Sequence, residues 1–141
     1  MCISFLEKIP KIGQAAFKDL QKNPKYVVFD LLDFIFEDWL TIIFREKWKF
    51  EISKRKSELS NFWIVAETGF GRRAFEPEFV LALFIKAFWK MAERNLKRKF
   101  DSVFFLTSSN FRKKQNDLIR YACDIAGLTF AGSLQHRFQD I

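Results

Sequence analysis

FDSVFFLTSSNFRKKQNDLIRYACDIAGLTFAGSL, residues 100–134, is the stretch that decides the fold class. Its unbroken apolar run, Val103, Phe104, Phe105 and Leu106, follows Asp101. A short continuous run of β-branched and aromatic residues suits a strand covered on both faces. Ser108, Ser109 and Asn110 then offer side-chain oxygens to cap a helix beginning near Phe111. That helix puts Leu118, Ile119, Ala122 and Ile125 on one stripe and stops at Gly127, a residue suited to a left-handed helix end. Leu128, Thr129 and Phe130 follow as a second strand. Strand, helix and strand within about thirty residues make a βαβ unit of parallel or mixed sheet. The chain is therefore expected in the α/β class, which its front half alone would not suggest.

Working upstream, Pro77 suits the first turn of a long helix ending near Arg98. Its apolar face is expected through Phe79, Leu83, Ala87 and Met91, and its polar stripe of Lys86, Lys90, Glu93 and Lys97 is basic on balance. Residues 62–67, FWIVAE, read as an apolar strand ended by the turn Thr68, Gly69, Phe70, Gly71. Residues 48–53 alternate with period two, as a half-exposed strand does, and residues 54–61 are a polar connection. Residues 3–22 read as one amphipathic helix with a soft break at Pro10. Pro24 separates it from a second helix over residues 27–47, apolar nearly all round and so expected to be buried. Its narrow acidic stripe is Asp30, Asp33 and Glu37. The expected order is α-α-β-β-(β)-α-β-α-β, with the third strand left open. Trp39, Trp48, Trp63 and Trp89 lie in apolar patterns and are expected in the core.

Composition narrows the function classes. At 141 residues the chain can bury a proper core, and a 49% hydrophobic fraction rules out general disorder. Few glycines and prolines with many Lys, Arg and Glu fit a protein of a hot-growing organism. The net charge of +7 favours an anionic partner, nucleic acid being the commonest. Cys2 and Cys123 form no pattern and read as free thiols of a reducing cytoplasm. The single histidine, His136, expected on the surface after the last strand, cannot build a zinc site or a catalytic triad. The start of the chain does not read as a signal peptide. Four acids interrupt the apolar stretch 26–44, which argues against a membrane span.

Three local patterns, in order, resemble the PD-(D/E)XK restriction-endonuclease-like nucleases, nearest to the Mrr-like type IV branch, over residues 28–138. Phe36 and Glu37 stand where that family often has an acidic residue. The strand ending VAET, followed by GFGRRAFEPEFV and a long helix, resembles its metal-site strand. VFFLTSSNFRKKQ and AGLTFAGSL resemble its closing βαβ unit, the most specific of the three matches. The resemblance implies a three-layer fold, with a central mixed sheet flanked by helices. Residues 26–141 would be the nuclease domain and residues 1–25 an N-terminal helical extension.

The same resemblance implies a chemistry. Carboxylates on adjacent strands hold Mg²⁺, which polarises a phosphate and activates water, while a lysine two residues past the second acid stabilises charge. Glu67 matches the second acid, with Glu51 and Glu37 as further metal candidates; by strand order Glu58 and Asn61 also compete for the first acid. The lysine position holds Gly69, so Lys86, Arg72 or Arg73 would have to substitute. Arg72, Arg73, Arg112, Lys113 and Lys114 are the expected phosphate contacts. Three readings follow: a Mg²⁺-dependent DNA endonuclease of the cytoplasm, acting as a homodimer as most enzymes of this fold do; an inactive nuclease-like module that binds DNA or protein; and an unrelated α/β binding protein whose charge is incidental.

Overall fold

Phe5 carries its ring 4.2 Å from that of Phe75, a stacked contact between residues seventy positions apart that no local pattern announces. It belongs to the first of two compact units, Met1–Val80 and Leu81–Ile141, in a computed structural model that describes residues 1–107 and 111–135. The first unit opens with strands where a helix was expected. β1 (Cys2–Ser4) lies between β2 (Lys11–Ile12) and β3 (Val27–Phe29), antiparallel to both. Ile3 faces Ile12 on one side and Val28 on the other, and Ile3, Val27 and Val28 are fully buried. The only helix in residues 3–22 is α1 (Gln14–Lys22), entered through Gly13 at φ 82°. Ser4 Oγ ties β1 to it by donating to Asp19 Oδ2 at 2.7 Å.

The helix expected over residues 27–47 is likewise absent. After β3, Asp30 takes a left-handed conformation (φ 58°), and only α2 (Leu31–Phe34) and a 3₁₀ turn at Trp39–Thr41 are helical. A continuous helix cannot pass through a left-handed residue. The boundary expected between residues 25 and 26 is spanned by the β1–β3 pairing.

β4 (Glu51–Lys54), β5 (Phe62–Thr68) and β6 (Gly71–Phe75) form an antiparallel meander. Along β5 the side chains of Phe62, Ile64 and Ala66 are buried and alternate with half-buried neighbours. Phe62 joins an aromatic cluster in which the ring centroid of Phe34 lies 5.1 Å from Trp48, 5.8 Å from Phe50 and 6.2 Å from Phe62. Each such side chain contributes roughly 1.5–3 kcal/mol on burial, so this cluster is a principal source of the unit's stability. Of the four tryptophans only Trp48 is buried outright; Trp39, Trp63 and Trp89 are half-buried.

α3 (Pro77–Leu96) starts at the expected proline. Its buried stripe runs through Val80, Leu81, Phe84 and Ile85, while Phe79 and Met91 of the expected face are exposed. The helix is apolar on several sides, and periodicity alone did not select the face that is covered. In the second unit β7 (Ser102–Thr107), α4 (Lys113–Ala126) and β8 (Thr129–Gln135) make the expected βαβ unit, with β7 and β8 parallel. α4 ends in a Schellman arrangement: Gly127 (φ 86°) donates to the Asp124 carbonyl and Leu128 to that of Cys123. Leu118, Ile119, Ala122, Cys123 and Ala126 are its buried residues, whereas Ile125 is exposed.

The α/β class therefore holds. The single central mixed sheet does not: among the described residues the strands fall into three small sheets. Nor is β7 covered on both faces, since Phe104 and Leu106 are 61% and 68% exposed. No helix among the described residues is long and apolar enough to cross a membrane. The caps expected from Ser108, Ser109 and Asn110, and the placement of His136, lie outside the described residues.

Candidate functional site

The β4–β5–β6 meander brings Glu51 and Glu67 to one arginine. Register places Glu67 opposite Arg72, while Glu51 sits on the far strand opposite Val65. Arg72 Nη2 lies 2.5 Å from Glu51 Oε2, and its Nη1 lies 3.8 Å from Glu67 Oε1. The side chains are 51%, 64% and 34% exposed respectively, so water screens the trio and it adds little to stability. Glu37 accepts a hydrogen bond from Thr41 Oγ1 (2.9 Å), and Asn61 Oδ1 accepts one from the Trp39 N–H (2.7 Å). Among the described residues no three His, Cys, Asp or Glu side chains converge as a metal-binding group. Hence these residues do not by themselves fit a protein-only Mg²⁺ cage.

Gly69 has a steric cause. Its N–H donates to the Phe5 carbonyl at 3.1 Å, and a Cβ built on it would lie 2.2 Å from the Leu6 carbonyl oxygen. Such an approach is far inside van der Waals contact, so only glycine lets the β5–β6 turn close against the segment after β1. The neighbouring Thr68 fixes that turn, donating through Oγ1 to the Gly71 carbonyl (2.6 Å) and accepting from the Phe70 N–H (3.0 Å).

The expected phosphate contacts are spread over both units. Arg73, exposed and opposite Ala66 on β5, uses Nη1 to reach the Arg72 carbonyl at 3.0 Å. Arg112, Lys113 and Lys114 lead into α4, where Gln115 Oε1 accepts the Arg112 N–H at 2.9 Å. Lys86 is exposed on α3.

Two polar clusters had no part in the sequence expectations. Glu78, in the first turn of α3, is 1% exposed. Its Oε1 accepts from Arg55 Nη2 and its Oε2 from Ser60 Oγ, both at 2.8 Å. Arg55 Nη2 also donates to Ser57 Oγ (2.9 Å), and its guanidinium lies 4.7 Å from the centroid of Trp63. Asp30 is the second hub: Oδ2 receives Arg45 Nη1, Lys47 Nζ and Trp48 Nε1, each at 3.0 Å. Burial pushes the Asp30 carboxyl up, but the hydrogen bonds from Trp48, Lys47 and Arg45 outweigh it and hold its pKa below the ordinary value. A buried acid after a polar loop and an aspartate before a break are the only local traces of either cluster.

Both clusters are architectural, and neither has the layout of a hydrolytic centre. The sequence as a whole settles the class: the chain belongs to the Hsp70 family, whose model, described as Hsp70 protein, matches residues 1–132. This overturns the nuclease resemblance, together with the endonuclease activity, the inactive nuclease-like module and the DNA partner it implied. The physical source of the error is the βαβ unit, which unrelated α/β proteins share and which carries no chemistry of its own. Gly69 is then a packing glycine, with no lost lysine to account for.

Proposed function

We propose that the chain serves ATP-dependent chaperoning in the cytosol, binding ATP with Mg²⁺ and meeting client proteins and co-chaperones. The observation that carries this reading is the Hsp70 family match across residues 1–132. Mg²⁺ ordinarily takes only one or two protein carboxylates and fills its other positions with phosphate oxygens and water. The reading therefore does not ask the described residues for a three-acid cluster. What they supply is a firm frame: the Arg55–Glu78–Ser60 lock fixes residues 55–60 to the start of α3, and Gly69 fixes the β5–β6 turn.

Calorimetric titration of the chain with ATP, in Mg²⁺ and again in EDTA, tests the proposal. Binding that weakens on removing Mg²⁺ is expected, with adenosine alone bound less well. A chain shown by circular dichroism to be folded, yet taking up no ATP in either buffer, would refute it.

A further inference from the structure

The C-terminal end of α3 borders an open groove of about 540 Å³ lined by Lys90, Glu93, Arg94, Lys97, Arg98 and Lys99. Five cations thus face one carboxylate. That carboxylate is already engaged: Glu93 Oε2 accepts the Phe100 N–H at 2.9 Å, and Oε1 lies 3.7 Å from Lys99 Nζ. Among the described residues no carboxylate lies within ion-pair distance of Lys90, Arg94, Lys97 or Arg98. From these observations we propose that this groove is a docking site for an extended acidic segment of a partner protein.

A bland reading exists, because cations near a helix C-terminus offset its negative end. That effect fades within the last turn, and Lys90 stands before the last turn of α3, so it does not account for the whole cluster. The wall is also fixed in place. Trp89 Nε1 donates to the Phe100 carbonyl at 2.9 Å, Arg98 N–H to the Glu93 carbonyl at 3.2 Å, and the Arg98 guanidinium lies over the Phe100 ring. Lys97 itself holds the left-handed conformation (φ 50°), where glycine is the usual occupant. A groove whose backbone is already ordered loses less entropy on binding.

Spacing selects the ligand's form. Lys90 and Arg94 stand one turn apart, about 6 Å along the helix axis. Alternate side chains of an extended peptide repeat at roughly 6.6 Å. Acids at every second position of a strand would therefore meet successive cations, and Arg94 and Arg98 can each grip a carboxylate with two N–H groups. That the partner is a protein rests on the chaperone reading; that it is acidic and extended rests on the groove alone.

The test is fluorescence anisotropy of a labelled peptide of alternating Glu and Ser, without nucleotide, against its Gln and Ser counterpart. The acidic peptide should bind, more weakly as salt rises, and the neutral one should not. The double variant Lys90→Glu with Arg94→Glu should weaken binding by about tenfold or more. Lys97→Gly, which relieves the backbone and so should not lower the melting temperature, should weaken it less. Lys113→Glu, on another helix, should leave it unchanged. Absence of acidic-peptide binding, indifference to the Lys90 and Arg94 reversal, or tighter binding of inorganic polyphosphate of equal charge would each overturn the proposal. None of these results bears on ATP binding, so the two readings fail separately.

Discussion

Replacing Glu78 with alanine should lower the stability of this protein by about 3–5 kcal/mol, the usual loss when one partner of a buried ion pair is removed. The structure explains why the cost falls at the large end of surface-to-core effects. Glu78 is 1% exposed and Arg55 10%, so the guanidinium left behind has little water to turn to. Among the described residues Arg55 Nη1 already lacks a hydrogen-bond partner, and its Nη2 would keep only Ser57 Oγ. Ser60 Oγ, also buried, would lose its acceptor. At roughly 2–4 °C per kcal/mol for a chain of this size, the melting temperature should fall by about 6–20 °C. Urea unfolding followed by tryptophan fluorescence is the assay, since Trp63 stacks on Arg55 and reports the network directly. Arg55→Met combined with Glu78→Leu should recover most of the loss, because a well-packed apolar pair avoids desolvating two charges. A Glu78→Ala protein within about 1 kcal/mol of the parent, or a double variant worse than both singles together, would refute the reasoning.

Asp30 has a lowered folded pKa, so it contributes stability that is present above its unfolded value near 3.8 and lost as pH falls through the folded one. Asp30→Asn should flatten acid unfolding below about pH 3.8, read through Trp48, whose indole donates to it; an unchanged acid limb would count against the hub. Gly69→Ala should destabilise by about 1–3 kcal/mol through the clash with the Leu6 carbonyl, and Gly69→Lys at least as much; urea midpoints equal to the parent's would show that the turn can shift freely. Burial first, and Asp124 second, raise the Cys123 thiol to about 11, so the folded protein at pH 8 should react with a thiol reagent at Cys2 well before Cys123. Equal rates would mean that the α4 face opens in the native state.

What was legible in the sequence was local. The βαβ unit announced itself because its signals lie within a few residues of their effects: an apolar run, a helical stripe and a glycine at the helix end. β5, its turn and the start of α3 were legible for the same reason. Residues 27–47 misled because Asp30, Asp33 and Glu37 repeat at helical spacing inside an apolar stretch. Their partners decide otherwise. Asp30 is held by Arg45, Lys47 and Trp48, fifteen to eighteen residues downstream, and that ring of donors fixes the left-handed turn that ends β3. β1 and β2 were hidden in the same way, since three and two residues give no period to read and form strands only by pairing with each other and with β3.

The candidate site shows the same division at the level of chemistry. Glu51 and Glu67 do both reach Arg72 across the three-stranded meander, yet two exposed acids gathered by an arginine do not make a metal centre. Gly69 is the sharper case. Judged by spacing from Glu67 it was a vacancy in a catalytic motif; judged by distance it is the one residue without a Cβ to fall 2.2 Å from the carbonyl oxygen of Leu6, a neighbour sixty-three positions away in the chain. A motif assigns a residue its role from what stands beside it in sequence, whereas the fold assigns it from what stands beside it in space. Where the two disagree, a close backbone contact outranks a spacing, because the contact excludes every side chain while the spacing only suggests one.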